Sequence, residues 1–287
     1  MTTLITPDAL AEWLASDEPP LVFDVQFRLS APGHQANPTG AELYASAHLP
    51  GAHFLDVDTD LAGPPGPHGR HPMPDLDHLQ HRLRAAGLDD GRPVVVYDEG
   101  NGLGAARAWW LLSYCGLADV RVLDGGLSVW RTAGHAVTNH LPEVAESGDV
   151  TLRPGALPLL DADGAAALAQ RGLLLDARTP ERFAGLSEPI DAVAGHIPGA
   201  HNAPMGDYVQ PDGRLADRET LHGYFAAKGA FTHPEVGAYC GSGITAAHLA
   251  LALRQIGIIA PVYVGSWSEW IADPARPIAT GAAVTDQ

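Results

Sequence analysis

The sequence predicts an α/β protein made of two tandem copies of one domain, each with a mainly parallel sheet flanked by helices. Short apolar runs, typical of buried strands, alternate with longer helical patterns along the whole chain. An internal repeat supports the duplication, because His196–His201 (HIPGAH) matches His48–His53 (HLPGAH) almost letter for letter. The length of 287 residues also suits two ordinary domains.

The first half begins with Thr6-Pro7, a helix N-cap followed by proline at the first helical position. Three buried strands are predicted after it, at Leu21–Asp24, Val94–Asp98 and Val120–Leu123. A glycine-rich turn follows the second of these strands and leads into a helix from Ala105 to Leu112.

The second half repeats these landmarks in the same order. Leu173–Asp176 corresponds to the strand that ends at Asp24, and Tyr239-Cys240 corresponds to Tyr97-Asp98. We predict a first domain over residues 1–139, a polar, Pro- and Gly-containing linker over 140–158, and a second domain over 159–287.

Composition excludes several classes of partner. The 17 basic and 34 acidic residues leave a net charge of −17, which argues against nucleic acid or an anionic membrane as a partner. The N-terminus lacks the features of a signal peptide, and no apolar run is long enough to span a bilayer. With only two cysteines, a disulfide framework is not expected, so we predict a cytoplasmic protein.

Cys240 stands between a predicted strand and a predicted helix, with Gly241 and Gly243 after it. Glycines allow a tight turn whose N–H groups converge on one point, and the N-terminus of the helix adds positive potential there. Such a setting favours a thiolate, so the loop predicts a cysteine nucleophile. The alternative is a buried structural cysteine, which is our interpretation of Cys115.

The two halves differ at this position, because the first half has Asp98 where the second has Cys240. An aspartate cannot act as a sulfur nucleophile, so we expect the reactive site in the second half. No pair among the 14 histidines has convincing metal-ligand spacing with a cysteine or carboxylate, so no metal is expected.

Three motifs together resemble the tandem-domain rhodanese family of thiosulfate and 3-mercaptopyruvate sulfurtransferases. They are Gly195–Ala200, the Cys240–Thr245 loop (CGSGIT) and Gly265–Trp267, and the resemblance covers roughly Leu4 to Trp270. It implies two rhodanese-like domains, an inactive one with aspartate and an active one with cysteine. It also implies that the loop N–H groups of Gly241, Gly243, Ile244 and Thr245 bind the substrate sulfur.

The resemblance further implies a site for a monocarboxylate donor. Gly241-Ser242 resembles the mercaptopyruvate branch, since thiosulfate enzymes carry two basic residues there. In that branch the serine, here Ser242, works with a histidine and an aspartate of the first domain, which His71 and Asp58 match. Arg182 matches the first of two arginines that hold the carboxylate, whereas Ile190 stands where the second is expected.

The expected function is transfer of a sulfane sulfur from a small donor, with 3-mercaptopyruvate favoured, through a Cys240 persulfide. The chemistry that the resemblance implies needs neither a metal nor an organic cofactor. The expected acceptors are cyanide or a thiol, such as a thioredoxin-like protein or a low-molecular-weight thiol. Thiosulfate:cyanide sulfurtransferase and a non-catalytic persulfide carrier are the alternatives. A phosphatase is disfavoured, because its loop needs an arginine six residues after the cysteine, where this chain has Ala246.

Overall fold

The computed structural model describes residues 3–29, 38–143 and 146–281. The ends of the predicted domains at residues 1–2 and 282–287, and residues 144–145 of the predicted linker, lie outside the described part.

The chain divides into two compact units, and neither is a single continuous segment. Unit 1 consists of residues 1–63, 73–156 and 210–215. Unit 2 consists of residues 64–72, 157–209 and 216–287. The loop 64–72 therefore comes from the N-terminal half of the sequence but belongs to unit 2.

Unit 1 contains five strands and five helices among its described residues. The strands are β1 (Leu4–Ile5), β2 (Leu21–Asp24), β3 (His53–Phe54), β4 (Val94–Tyr97) and β5 (Val120–Leu123). The helices are α1 (Pro7–Leu14), α2 (Gly40–Ser46), α3 (Leu76–Ala85), α4 (Leu103–Tyr114) and α5 (Gly126–Thr132). Thr6 caps α1 with its side chain and Pro7 begins the helix, as its position in the sequence predicts.

Unit 2 repeats this order. Its strands are β6 (Leu159–Leu160), β7 (Leu173–Asp176), β8 (His201–Asn202), β9 (Val236–Tyr239) and β10 (Val262–Tyr263). Its helices are α6 (Ala162–Arg171), α7 (Pro180–Phe183), α8 (Arg218–Ala227), α9 (Ile244–Gln255) and α10 (Ser266–Trp270), with a 3₁₀ turn at Met205–Asp207.

Both sheets are parallel and have the same strand order, β1-β5-β4-β2-β3 in unit 1 and β6-β10-β9-β7-β8 in unit 2. The central strands β4 and β9 are buried along their whole length, as expected for strands covered on both faces. Both end at a loop that leads directly into a buried helix. This confirms the predicted class of two tandem α/β domains with flanking helices.

Within residues 3–29, 38–143 and 146–281, no helix combines the length and the apolar character that crossing a membrane requires.

Candidate active site

The Cys240 side chain lies in the turn between β9 and α9 and is only 2% exposed. Gly243 has a φ of 85°, a left-handed conformation that suits glycine, and it is the N-cap of α9. In this conformation its N–H points back to Cys240 Sγ, at an N···S distance of 3.1 Å. The turn thus holds the sulfur at the N-terminus of a twelve-residue helix.

Ser266 holds the backbone of Cys240 in place, a role that its motif alone does not predict. Its hydroxyl accepts a hydrogen bond from the Cys240 N–H at 3.1 Å and donates one to the Tyr263 carbonyl at 2.7 Å. Ser266 is the one non-glycine residue with a positive φ, 53°, in the described part of the chain. Gly126 at the matching position of unit 1 also has a positive φ, so the repeat contained a signal for this conformation.

Ser242 and His71 are brought together as the resemblance implies. The Nδ1 atom of His71 lies 2.8 Å from Ser242 Oγ, and the Ser242 residue is buried. The two residues are 171 positions apart, and the loop 64–72 carries His71 into unit 2.

Two guanidinium groups lie over Gly241, next to Cys240. A Cβ atom on Gly241 would stand 3.0 Å from Arg70 Nη2 and 3.3 Å from Arg182 Nη2. Burial lowers the pKa of Arg70, and the neighbouring Arg182 lowers it further, whereas the electrostatic interaction with Cys240 opposes this shift. Arg70, which the resemblance did not assign to the site, therefore approaches the same glycine as Arg182.

Arg70 was missed because it stands far from Ile190, where the second arginine was expected. A signal existed in its position directly before His71, since a loop that brings one of these side chains to the site brings its neighbour too. The loop is held in place by the Arg70 N–H, which donates to Ser268 Oγ at 3.1 Å. Its turn passes close to α10, where a Cβ on Gly69 would come within 2.7 Å of the Gly265 carbonyl oxygen.

The remaining predicted residues are distributed over both units. Ile244 and Thr245 form the first turn of α9 beside Cys240, with Ile244 buried and Thr245 partly buried. Asp58 belongs to unit 1, in a turn where its N–H donates to the Asp56 carboxylate at 2.8 Å, and it is exposed. No group of three or more His, Cys, Asp and Glu side chains is arranged to hold a metal ion in the described part of either unit.

One protein-family model matches both halves of the chain. The model of the Rhodanese-like domain matches twice, at residues 6–133 and 161–273. The chain belongs to the rhodanese family.

Several relatives of this rhodanese match over nearly their whole length. A probable 3-mercaptopyruvate sulfurtransferase of Pseudomonas aeruginosa is 48% identical over 286 residues, which cover 97% of this chain and 98% of the relative. A putative thiosulfate sulfurtransferase of Mycobacterium tuberculosis, SseB, is 42% identical and covers 98% of each chain. The 3-mercaptopyruvate sulfurtransferase of Escherichia coli is 32% identical, with 93% of this chain and 96% of the relative covered.

Solved structures agree with this assignment. The crystal structure of SseA from Escherichia coli, a 3-mercaptopyruvate sulfotransferase with the rhodanese fold, superposes with a TM-score of 0.80 at 28% identity. The match covers 93% of this chain and 100% of SseA. This rhodanese is a sulfurtransferase.

In the first unit of this rhodanese, the corresponding loop is filled by the side chain of Asp98. One carboxylate oxygen accepts hydrogen bonds from the N–H groups of Gly100 at 2.9 Å and Gly102 at 3.0 Å. The other oxygen accepts from the Ala105 N–H at 3.2 Å. The unit-1 loop therefore surrounds a carboxyl group that belongs to the chain itself.

Proposed function

We propose that this sulfurtransferase takes sulfur from 3-mercaptopyruvate and carries it as a persulfide on Cys240. The observation that carries the proposal is the convergence of four groups on one turn of unit 2. These are the Cys240 thiol, the Ser242–His71 pair, and the guanidinium groups of Arg70 and Arg182. The names of two relatives, at 48% and 32% identity, support the same donor.

In the first step the Cys240 thiolate attacks the sulfur of the donor, and an S–S bond forms while the donor's C–S bond breaks. The electron pair of that bond leaves with the three-carbon fragment as the enolate of pyruvate. The proton of the donor thiol moves to this fragment through Ser242 and His71, whose side chains lie 2.8 Å apart. Asp58 remains the predicted partner of this pair, on the resemblance alone.

The loop N–H groups stabilise the sulfur anion that forms on Cys240. The Gly243 N–H already donates to Sγ, and the N-terminus of α9 adds positive potential. We assign the N–H groups of Gly241, Ile244 and Thr245 to the outer sulfur, as the resemblance implies. The donor carboxylate is bound by Arg182 and Arg70, because planar guanidinium groups match a carboxylate well.

In the second step a thiolate or cyanide attacks the outer sulfur and releases the Cys240 thiolate. We propose a low-molecular-weight thiol or a thioredoxin-like protein as acceptor, and the cytoplasm as compartment. Both Cys115 and Cys240 are free in the structure, which suits a reducing environment. We further propose residues 1–139 as an inactive rhodanese-like domain with Asp98 in place of the cysteine, which contributes the loop 64–72 to unit 2. Residues 140–158 are the proposed linker, and 159–287 are the proposed catalytic domain with Cys240.

Intact-mass measurement tests the site of the persulfide. After treatment with 3-mercaptopyruvate and removal of excess donor, we expect one added sulfur on the wild-type protein and none on Cys240→Ser. The matched control is Cys115→Ser, whose thiol is fully buried and whose pKa burial raises to about 11. Retention of the sulfur in Cys240→Ser, together with its loss in Cys115→Ser, would assign the persulfide to the other cysteine.

A side-by-side rate comparison tests the donor. With cyanide as acceptor, we expect kcat/KM for 3-mercaptopyruvate to exceed that for thiosulfate by at least about tenfold. Losing one charge-assisted contact to the donor has an effect of this size. Arg182→Ala is expected to remove most of this preference. Thiosulfate is the second candidate, because Arg70 provides a second cation at Gly241 and a relative at 42% identity is named for thiosulfate. A ratio near one or below would favour it.

A further inference from the structure

Asp191 lies between the two guanidinium groups that face the nucleophile loop. One of its carboxylate oxygens contacts Arg70 Nη1, and the other accepts a hydrogen bond from Arg182 Nη2 at 2.9 Å. The Asp191 side chain is 3% exposed, against 19% for Arg70 and 12% for Arg182. The carboxylate is therefore the buried centre of the group, and the two arginines extend from it.

A terminal nitrogen of each guanidinium lies close to the loop. In Arg182 the nearer one, Nη2, also contacts Asp191 and Glu188. Asp191 binds Nη1 of Arg70, so the Nη2 atom of this arginine is the one closest to the Gly241 Cβ position, at 3.0 Å. The two terminal nitrogens of Arg182 lie 3.3 and 3.6 Å from that position. One carboxylate thus orients both arginines towards the same point beside Cys240.

Asp191 is itself held by the turn that contains Ile190. The carboxylate of Glu188 accepts hydrogen bonds from the Ile190 and Asp191 N–H groups at 3.1 and 3.0 Å. It also binds Arg182 Nε at 2.9 Å. This segment has isoleucine, not arginine, at residue 190. The next residue, Asp191, provides the carboxylate that binds Arg70 of the loop 64–72.

The arginines and carboxylates around Asp191 carry equal numbers of positive and negative charges. Arg178 pairs with Asp176 at 2.8 Å and with Glu188 at 3.3 Å. The connected ion pairs therefore comprise three arginines and three carboxylates: Arg70, Arg178, Arg182, Asp176, Glu188 and Asp191. An arriving donor therefore meets oriented N–H groups but little net positive charge. This environment favours a donor with one negative charge over a donor with two, because a dianion needs more compensation in a buried site.

We propose that Asp191 is a positioning residue that sets donor specificity by joining Arg70 and Arg182 into one binding group for a single carboxylate. The proposal rests on the proposed function, since it concerns the donor of the same site. It explains how this chain binds a monocarboxylate with isoleucine at residue 190. Asp191 acts through the arginines and is assigned no contact with the reacting sulfur.

The test measures kcat and KM separately, for 3-mercaptopyruvate and for thiosulfate, with cyanide as acceptor. In Asp191→Asn we expect KM for 3-mercaptopyruvate to rise at least about tenfold, because the arginines lose their common anchor. We expect kcat to change less than about threefold, since Cys240, Ser242 and His71 are untouched. The preference for 3-mercaptopyruvate over thiosulfate should fall by at least about tenfold, because the site gains net positive charge.

The matched control is Asp163→Asn, which makes the same change in another carboxylate of unit 2, one that pairs with Arg276 at 2.8 Å rather than with Arg70 or Arg182. It is expected to change KM for 3-mercaptopyruvate by less than about threefold. A double-mutant cycle completes the test, because Asp191→Asn should add less than about twofold to KM in an Arg70→Ala background. Equal KM changes in the two single variants, or additive changes in the cycle, would overturn the positioning role.

Two further measurements keep the outcome interpretable. If Asp191→Asn does not fold, Arg70→Gln breaks the same contact from its more exposed side, and an unchanged KM in that variant contradicts the proposal. The intact-mass assay separates this inference from the proposed function. A wild-type protein that gains no sulfur from 3-mercaptopyruvate refutes the function, whereas normal persulfide formation with an unchanged KM in Asp191→Asn refutes only the role of Asp191.

Discussion

The loops after β4 and β9 have the same supporting hydrogen bonds but hold different groups. In unit 1 the carbonyl of Asp98 accepts from the Leu127 N–H at 2.8 Å, and in unit 2 the carbonyl of Cys240 accepts from the Trp267 N–H at 3.0 Å. Asp98 fills its loop with its own carboxylate, whereas Cys240 presents a sulfur that can take up another atom. The same backbone turn is thus filled by its own side chain in unit 1, whereas in unit 2 it holds a cysteine sulfur.

The surroundings of the loop after β9 are the second difference between the units. In unit 2 the glycine after the nucleophile leaves room for two guanidinium groups, and one of them arrives on the loop 64–72. The catalytic half of the sequence therefore does not contain the whole of unit 2. Four predictions test this contrast.

The largest effect is expected on cutting the chain. A fragment of residues 159–287 lacks the loop 64–72 and with it Arg70 and His71. We expect kcat/KM to fall by at least about 10³-fold, because the fragment loses both a charge-assisted contact and a proton-transfer group. The double variant Arg70→Ala/His71→Ala of the full chain is the control, and it should lose a similar factor. Full activity in the fragment would contradict the assignment of these residues to the site.

Asp98→Ala should destabilise unit 1 by about 3 kcal/mol, because the buried N–H of Ala105 and the partly buried N–H groups of Gly100 and Gly102 lose their acceptor, at up to about 1–3 kcal/mol each. Cys240→Ala removes a single N–H···S contact from the unit-2 loop and should cost much less. Calorimetry gives the stability, and hydrogen exchange at Gly100, Gly102 and Ala105 locates the loss. Equal costs for the two variants would mean that the Asp98 carboxylate is not what holds its loop.

The buried carboxylates Asp24 and Asp176 sharpen the comparison through pH. Arg178 pairs with Asp176, whereas at the matching position of unit 1 Gln26 donates to Asp24 at 2.9 Å. Burial raises the pKa of Asp24 from 3.8 to about 6. The folded state therefore binds more protons than the unfolded state between these values. The stability from this residue is complete below about pH 4 and is lost as pH rises through about 6.

The change in the free energy of unfolding is at most about 3 kcal/mol for this shift in pKa. Urea denaturation between pH 4 and 7 measures it, and Asp24→Asn should remove the slope. A slope that persists unchanged in Asp24→Asn would assign the pH dependence to other groups.

The smallest effect is expected at Ser266. Ser266→Ala leaves the buried Cys240 N–H without its acceptor, so we expect a loss of about 1–2 kcal/mol in stability and about tenfold in kcat/KM. Ser266→Gly relaxes the positive φ and should recover part of the stability but not the activity. Unchanged activity in both variants would show that the hydroxyl does not position the nucleophile.

Much of the fold follows from the sequence, because strands, helices and tight turns depend on residues that are close together along the chain. The apolar runs of β2, β4, β7 and β9, the N-cap at Thr6 and the glycine turn after Cys240 are of this kind. The repeat added long-range information, since one half predicts the other. It directed attention to Cys240 and, through the rhodanese resemblance, to Ser242, His71 and Arg182.

The tertiary structure decided which distant side chains lie together at the site, and only it added Arg70 and Asp191 to them. Arg70 contacts Asp191 across 121 positions, and His71 contacts Ser242 across 171. No local pattern encodes such pairings, because they depend on where the loop 64–72 lies in unit 2 and on the space that Gly241 leaves open. The amino-acid sequence by itself determined the nucleophile and its turn, whereas packing between remote segments decided which cations and carboxylates surround them.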